Sequence, residues 1–175
     1  QRVAIARALV LNPSILLMDE PLASLDWERK QEVLPFLIRL NQQLKIPVLY
    51  VTHSKQEMAQ LAQYLVLMSQ GKVDATGSLS QLLSRVDLSL AQDRQASCVW
   101  QVRVAQHDSA DYLTQVQFGG VRLFLPMIPV AIGETLRVQI FARDVSITLD
   151  ISTQTSILNI LPATILAISK DAIAC

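Results

Sequence analysis

Cysteine, net charge and long apolar runs are all scarce in this chain, and each scarcity excludes something. Its 175 residues hold two cysteines, Cys98 and Cys175, far apart in sequence. That leaves neither a disulfide framework nor a metal-type cysteine cluster, and it fits a reducing cytosol. Fifteen basic residues balance fifteen acidic ones, for a formal net charge of zero. A nucleic-acid partner normally leaves a basic excess, so none is expected. No apolar run approaches the roughly 18 residues that a membrane span needs. No basic segment followed by an apolar core opens the chain, as a signal peptide would. Membrane association is therefore expected only through a partner. There is no long repeat and no low-complexity segment.

What is present is enough for a packed interior. Hydrophobic residues make up 51% and charged residues 17%, which argues against wholesale disorder. The length allows one large domain or two small ones. The chain opens in mid-helix at Gln1-Arg2-Val3-Ala4-Ile5, with no initiator Met and no N-cap, as expected of a fragment.

Residues 1–85 read as strands separated by helices, implying a mostly parallel sheet. A helix runs to about Leu11 and Asn12-Pro13-Ser14 breaks it. Ile15–Met18 is a buried strand. A second helix, capped by Asp26, runs to about Leu44, with Val33, Phe36, Leu37, Leu40 and Leu44 at helical spacing and Pro35 expected to kink it or break its first turn. Pro47–Thr52 is a second strand, residues 55–63 a short helix, and Tyr64–Met68 a third strand. Ser69–Lys72 makes a hairpin-like turn into Val73–Ala75, and Ser78-Leu79-Ser80-Gln81 is a capping box for a helix to about Arg85. Residues 86–97 read as a linker. Beyond it come strands at Val99–Val104, Tyr112–Phe118, Val121–Leu125, Leu136–Phe141 and Val145–Leu149. Gly119-Gly120 is a strong hairpin signal, and short strands joined by tight turns suggest a small β-barrel.

The most informative run is LLMDEPLASLD at residues 16–26. An apolar strand delivers Asp19 and Glu20 to its exit edge, where open α/β sheets place their ligands. A carboxylate there can hold Mg²⁺ beside phosphates, and a second can orient or deprotonate an attacking water. ILLMDEP, SLD, the LYVTH of residues 49–53 and the opening QRVAIARAL resemble, in order and spacing, the Walker B strand, the D-loop, the switch-histidine strand and the helix after the signature motif of ABC-transporter ATPases. The resemblance covers roughly residues 1–85. It implies the C-terminal part of an α/β P-loop NTPase core. It implies that Asp19 binds Mg²⁺, through water or directly, that Glu20 is the general base or water-polarising carboxylate, and that Asp26 belongs to the D-loop, which communicates with the opposite subunit across the bound nucleotide. It also implies that His53 contacts the γ-phosphate of ATP. His107, the other histidine, is expected to be solvated. The phosphate loop GxxxxGK(S/T), the LSGG signature and the glutamine loop are absent from these residues. The 175 residues alone are therefore expected neither to bind ATP tightly nor to hydrolyse it.

The second half resembles the regulatory domain of certain bacterial importers. Ser156-Ile157-Leu158-Asn159-Ile160-Leu161-Pro162-Ala163 is similar to the S-A-R-N-x-L-x-G motif of molybdate-binding domains, and Phe141–Ile147 to the strand preceding it in molybdate-importer ATPases. The implied fold is an incomplete, all-β, OB-like (Mop/TOBE) barrel over residues 98–175. Ser156 and Asn159 are the side-chain candidates for a tetrahedral oxyanion, which neutral donors can hold. Leu158 stands where the motif has arginine, and Ala163 where it has glycine. The resemblance implies a homodimeric ATPase at the inner face of the bacterial plasma membrane. Its partners would be an integral membrane permease and, indirectly, a periplasmic molybdate-binding protein. The alternatives are an importer of the same architecture for sulfate, sugar, polyamine or iron, a non-catalytic oxyanion-binding module, or the remnant of a broken gene.

Overall fold

The computed structural model describes residues 2–43, 46–91, 95–150 and 155–168. They fall into two compact units, Gln1–Gln63 and Tyr64–Cys175, each a packing of its own.

In the first unit, helix α1 (Arg2–Val10) is followed by β1 (Leu16–Asp19), α2 (Trp27–Gln43), β2 (Val48–Val51) and α3 (Lys55–Leu61). Strands β1 and β2 pair in parallel, Leu16 opposite Val48 and Asp19 opposite Val51. Leu16 and Met18 enter a core with Ile5, Leu22, Val33, Leu34 and Leu37. The alternate residues Leu17, Leu49 and Val51 are exposed. Helix α2 is unbroken through Pro35. Pro35 and Gln31, whose carbonyl loses its donor there, both lie on the exposed side, where water can replace the missing N–H. The expected end of this helix at Leu44 lies outside the described residues.

The second unit begins with a hairpin, β3 (Tyr64–Ser69) and β4 (Lys72–Ser78), then α4 (Leu79–Leu83). The hairpin-like turn expected at Ser69–Lys72 forms, and it takes this strand out of the mostly parallel sheet that was also expected. Tyr64–Ser69 pairs antiparallel with β4, and β1–β2 is the one parallel pair among the described residues. The turn at Gln70-Gly71 is short enough to return the chain directly, and that local pairing takes the strand edge. The capping box at Ser78 and Gln81 forms as expected.

Strands β5 (Ser97–Asp108), β6 (Leu113–Phe118), β7 (Val121–Pro126) and β8 (Thr135–Phe141) make an antiparallel sheet in the order β7-β6-β5-β8. Gly119 and Gly120 have φ of 53° and 85°, as a two-residue primed hairpin turn requires. Strand β5 pairs with β8 along its first half and with β6 along its second. A bulge at Ala105 separates Val104 from Gln106 in the β6 register, and bulges bend strands. Val102, Val104, Val116 and Leu123 form the core, with Leu161 packed against it. The sheet is open among the described residues, with β7 and β8 at its edges. The strand expected at Val145–Leu149 does not form. A 3-10 turn over Ala142–Asp144 ends β8, and Val145, Ile147 and Leu149 are exposed. Alternation alone does not make a strand, and the 3-10 turn diverts the chain where β8 ends.

His107 is not simply solvated. It is half-buried, Nε2 donating to the Val130 carbonyl at 2.8 Å and Nδ1 meeting the Thr114 hydroxyl at 3.0 Å. Thr114, fully buried, also accepts from the Ile128 N–H at 3.2 Å. The pair pins the loop after β7 to the sheet. No described helix is long and apolar enough to cross a membrane.

Candidate active site

The parallel register of β1 and β2 builds the site. Asp19 and Val51 end their strands side by side, and the Glu20 N–H adds one more bond to the Val51 carbonyl at 2.9 Å. Glu20 then turns left-handed, φ 41°. Few non-glycine residues hold that conformation, and Pro21 disfavours helical alternatives for the residue before it. The Ala23 N–H closes a turn onto the Glu20 carbonyl at 3.1 Å, and Leu22 is sealed in the core.

The result brings together two residues 33 apart in sequence. Nδ1 of His53 lies 2.8 Å from Oε1 of Glu20. Their side chains remain 76% and 43% exposed, open to a ligand. A carboxylate at Nδ1 places the ring proton there and leaves Nε2 facing outward. Asp19 sits one residue before Glu20, exposed, and its carboxylate has no protein hydrogen bond or ion pair among the described residues. It is free to accept from a cation's water shell. Mg²⁺ is commonly held by one or two carboxylates plus substrate phosphates, and an exposed oxygen donor such as the Asp19 carboxylate fits that chemistry. Asp26 caps α2, its Oδ1 accepting from the Arg29 N–H at 2.9 Å, with the carboxylate largely exposed.

One residue behind this site escaped the sequence reading. Ser54-Lys55-Gln56-Glu57 has the capping-box pattern, which sends the glutamate back to the cap N–H. Here the Thr52 hydroxyl takes the Ser54 N–H at 3.0 Å. The Glu57 carboxylate turns inward instead, 3% exposed, accepting from Lys30 Nζ at 2.9 Å, Tyr50 Oη at 2.9 Å and Thr52 Oγ1 at 2.8 Å. Burial works to raise the Glu57 pKa, but the three hydrogen bonds and the Lys30 charge outweigh it, so the net shift is downward. Burial, then the hydrogen bond and charge of Glu57, push the Tyr50 phenol well above its usual range. The signal was the Thr52–Glu57 spacing around the cap, visible only once the hydroxyl's competition for the cap N–H is considered.

The second candidate site is arranged differently. Ser156 is exposed. Asn159 spends its amide on the open edge of β7, accepting from the Phe124 N–H at 2.8 Å and donating to the Phe124 carbonyl at 2.9 Å. It does for one residue what a neighbouring strand would do. A cavity of about 240 Å³ near Phe124 and Leu158 is lined by Gln106, Gln115, Asp108 and Asp111, and the two acids disfavour an anion there. Asn159→Ala should destabilise the sheet by about 1–2 kcal/mol, read from the urea midpoint. Hydrogen exchange at the Phe124 amide should accelerate with it.

No protein-family profile matches the chain. Over 171 residues it is 53% identical to the molybdenum import ATP-binding protein ModC of Albidiferax ferrireducens, covering 98% of this chain and 46% of that protein. The protein of the same name from Pseudomonas aeruginosa is 51% identical over 168 residues, 95% of this chain and 46% of its own length. That of Aromatoleum aromaticum is 45% identical over 170 residues, 97% of this chain and 45% of its own length. The chain spans about half the length of the curated relatives it matches.

Proposed function

We propose, from the premise that this chain is homologous over nearly all its length to molybdenum import ATP-binding proteins, that it is part of the ATP-hydrolysing subunit of an ABC importer driving molybdate uptake. The observation that carries the reading is the 2.8 Å contact between Glu20 and His53, at the ends of adjacent parallel strands with Asp19 beside it. In this reading Asp19 holds Mg²⁺, which when bound neutralises phosphate charge. Glu20 orients the attacking water and takes its proton. His53 presents Nε2 toward the γ-phosphate, donating when the ring carries both protons. Asp26 fixes the start of α2 and offers its exposed carboxylate to the second subunit of a homodimer.

Residues 1–85 belong in this proposal to the ATPase domain, 86–97 to a linker and 98–175 to an OB-like Mop/TOBE regulatory domain. Parallel sheets are normally covered on both faces, so the exposed Leu17, Leu49 and Val51 support a first unit that packs within a larger α/β core. The bent β5, shared between β6 and β8, supports a sheet on its way to closure. Ser156 is the candidate for direct contact with a regulatory molybdate, and Asn159 for shaping the segment that carries it. The complete subunit would sit on the cytoplasmic side of a permease fed by a periplasmic binding protein. On their own, these 175 residues lack the phosphate loop and would be inactive.

The test is molybdate accumulation at limiting supply in a bacterium deleted for its import ATPase. The complete gene should restore uptake. Restoration of sulfate uptake in its place would favour an importer of the same architecture for another substrate.

A further inference from the structure

We infer that Glu57 is a positioning residue for His53, holding the imidazole against Glu20 from beneath through the two residues that flank it. The inference rests on the role proposed for His53.

The hydrogen bonds run in one direction. Thr52 gives its only hydroxyl proton to Glu57, so its lone pair is what accepts the Ser54 N–H. Ser54 in turn accepts the Glu57 N–H on its own hydroxyl at 3.4 Å. His53 lies between these two residues. Thr52 is thus tied directly to a carboxylate that is 3% exposed, and Ser54 to it only through the Thr52 hydroxyl, with a further bond to the Glu57 backbone N–H, while the His53 side chain is 76% exposed. Glu20 is the one hydrogen-bond partner of this exposed ring among the described residues, so whether Nδ1 meets it depends on how the backbone beneath places the ring.

The anchor also reaches the other elements of the site. Lys30 stands on α2, one turn beyond the Asp26 cap, its N–H bonded to the Asp26 carbonyl at 3.0 Å. Tyr50 stands on β2, opposite Met18 of β1. One carboxylate therefore joins the helix that starts at Asp26, the strand that leads to His53 and the helix that follows it. Stability alone is a poor account of such a group. A buried ion pair loses in desolvation much of what it gains in attraction, and apolar replacements often serve as well. What it supplies, and an apolar cluster does not, is a directional constraint.

The experiment uses the complete subunit labelled with ¹⁵N-histidine, without nucleotide, at a pH where the ring is neutral. The His53 ring resonances, assigned by their loss in His53→Ala, should show the Nδ1–H tautomer. Glu57→Gln and Thr52→Val should convert them to a mixture of tautomers, and Thr52→Ser should not. In parallel, kcat for ATP should fall about tenfold to a hundredfold in the first two variants, with KM nearly unchanged. Thr52→Ser should restore it. Thr52→Val also keeps the question open should Glu57→Gln fail to fold. Wild-type ring signals in Thr52→Val would overturn the inference, whether its turnover is normal or falls only with its melting temperature. Should His53→Ala itself turn over at the wild-type rate, the role given to His53 fails, and the ring signals still decide whether Glu57 positions it.

Discussion

Glu20→Gln in the complete subunit is expected to lower ATP turnover by about 10²–10⁴-fold, the usual contribution of a positioned general base, while ATP still binds. Glutamine is nearly isosteric with glutamate. Its Oε1 can still accept the Nδ1–H of His53 across the 2.8 Å gap, so the geometry of the pair survives. What it cannot do is take a proton from water. The variant therefore separates chemistry from arrangement, which Glu20→Ala would not, because alanine also removes the acceptor that orients the ring. With binding intact and hydrolysis blocked, the nucleotide-bound closed dimer should accumulate on adding ATP, visible as a shift to twice the mass in size-exclusion chromatography. Turnover near the wild-type rate would remove Glu20 from the chemistry and leave its contact with His53 as an exposed hydrogen bond of modest worth.

Much of this site was legible in the sequence because its signals are local. An apolar run ending in two acids and a proline can hardly be other than a strand end. The same holds for Val48–Val51 leading into Thr52-His53. The Gly119-Gly120 turn was legible for the same reason, since only glycine takes φ > 0 at both positions without cost. What stayed hidden depends on competition between groups distant in sequence. Glu57 has the spacing of a cap residue, and only the Thr52 hydroxyl diverts it into the interior. Asn159 sits in a motif that suggests a ligand, but the unpaired Phe124 backbone claims its amide first. Val145–Leu149 alternates like a strand but pairs with none among the described residues. In each case the residue pattern is compatible with two partners, and geometry, which no local pattern carries, chooses between them.

Leu22→Ala should be the most destabilising single truncation in the loop between β1 and α2, by about 3–5 kcal/mol. Leu22 is 0% exposed, though it lies in a connection, where side chains are usually solvated. It fills the space among Ile5, Leu16, Met18, Val33, Leu34 and Leu37, and its removal leaves a cavity that these packed neighbours cannot fully close. Leu22→Met, which conserves volume, should cost less than about 1.5 kcal/mol. Urea unfolding measures both, with an unchanged slope showing that stability and not the unfolded state has moved. The position matters for chemistry as well. Leu22 is the plug that holds the chain down two residues after Glu20, whose left-handed backbone relaxes unless its surroundings restrain it. Turnover should therefore fall in Leu22→Ala at temperatures where the protein is still folded, and ATP affinity should fall less. A loss under about 1 kcal/mol, the size of an ordinary substitution, would mean that the two backbone bonds to Val51 and Ala23 hold Glu20 without the plug, and that the loop's shape is set from the strand side alone.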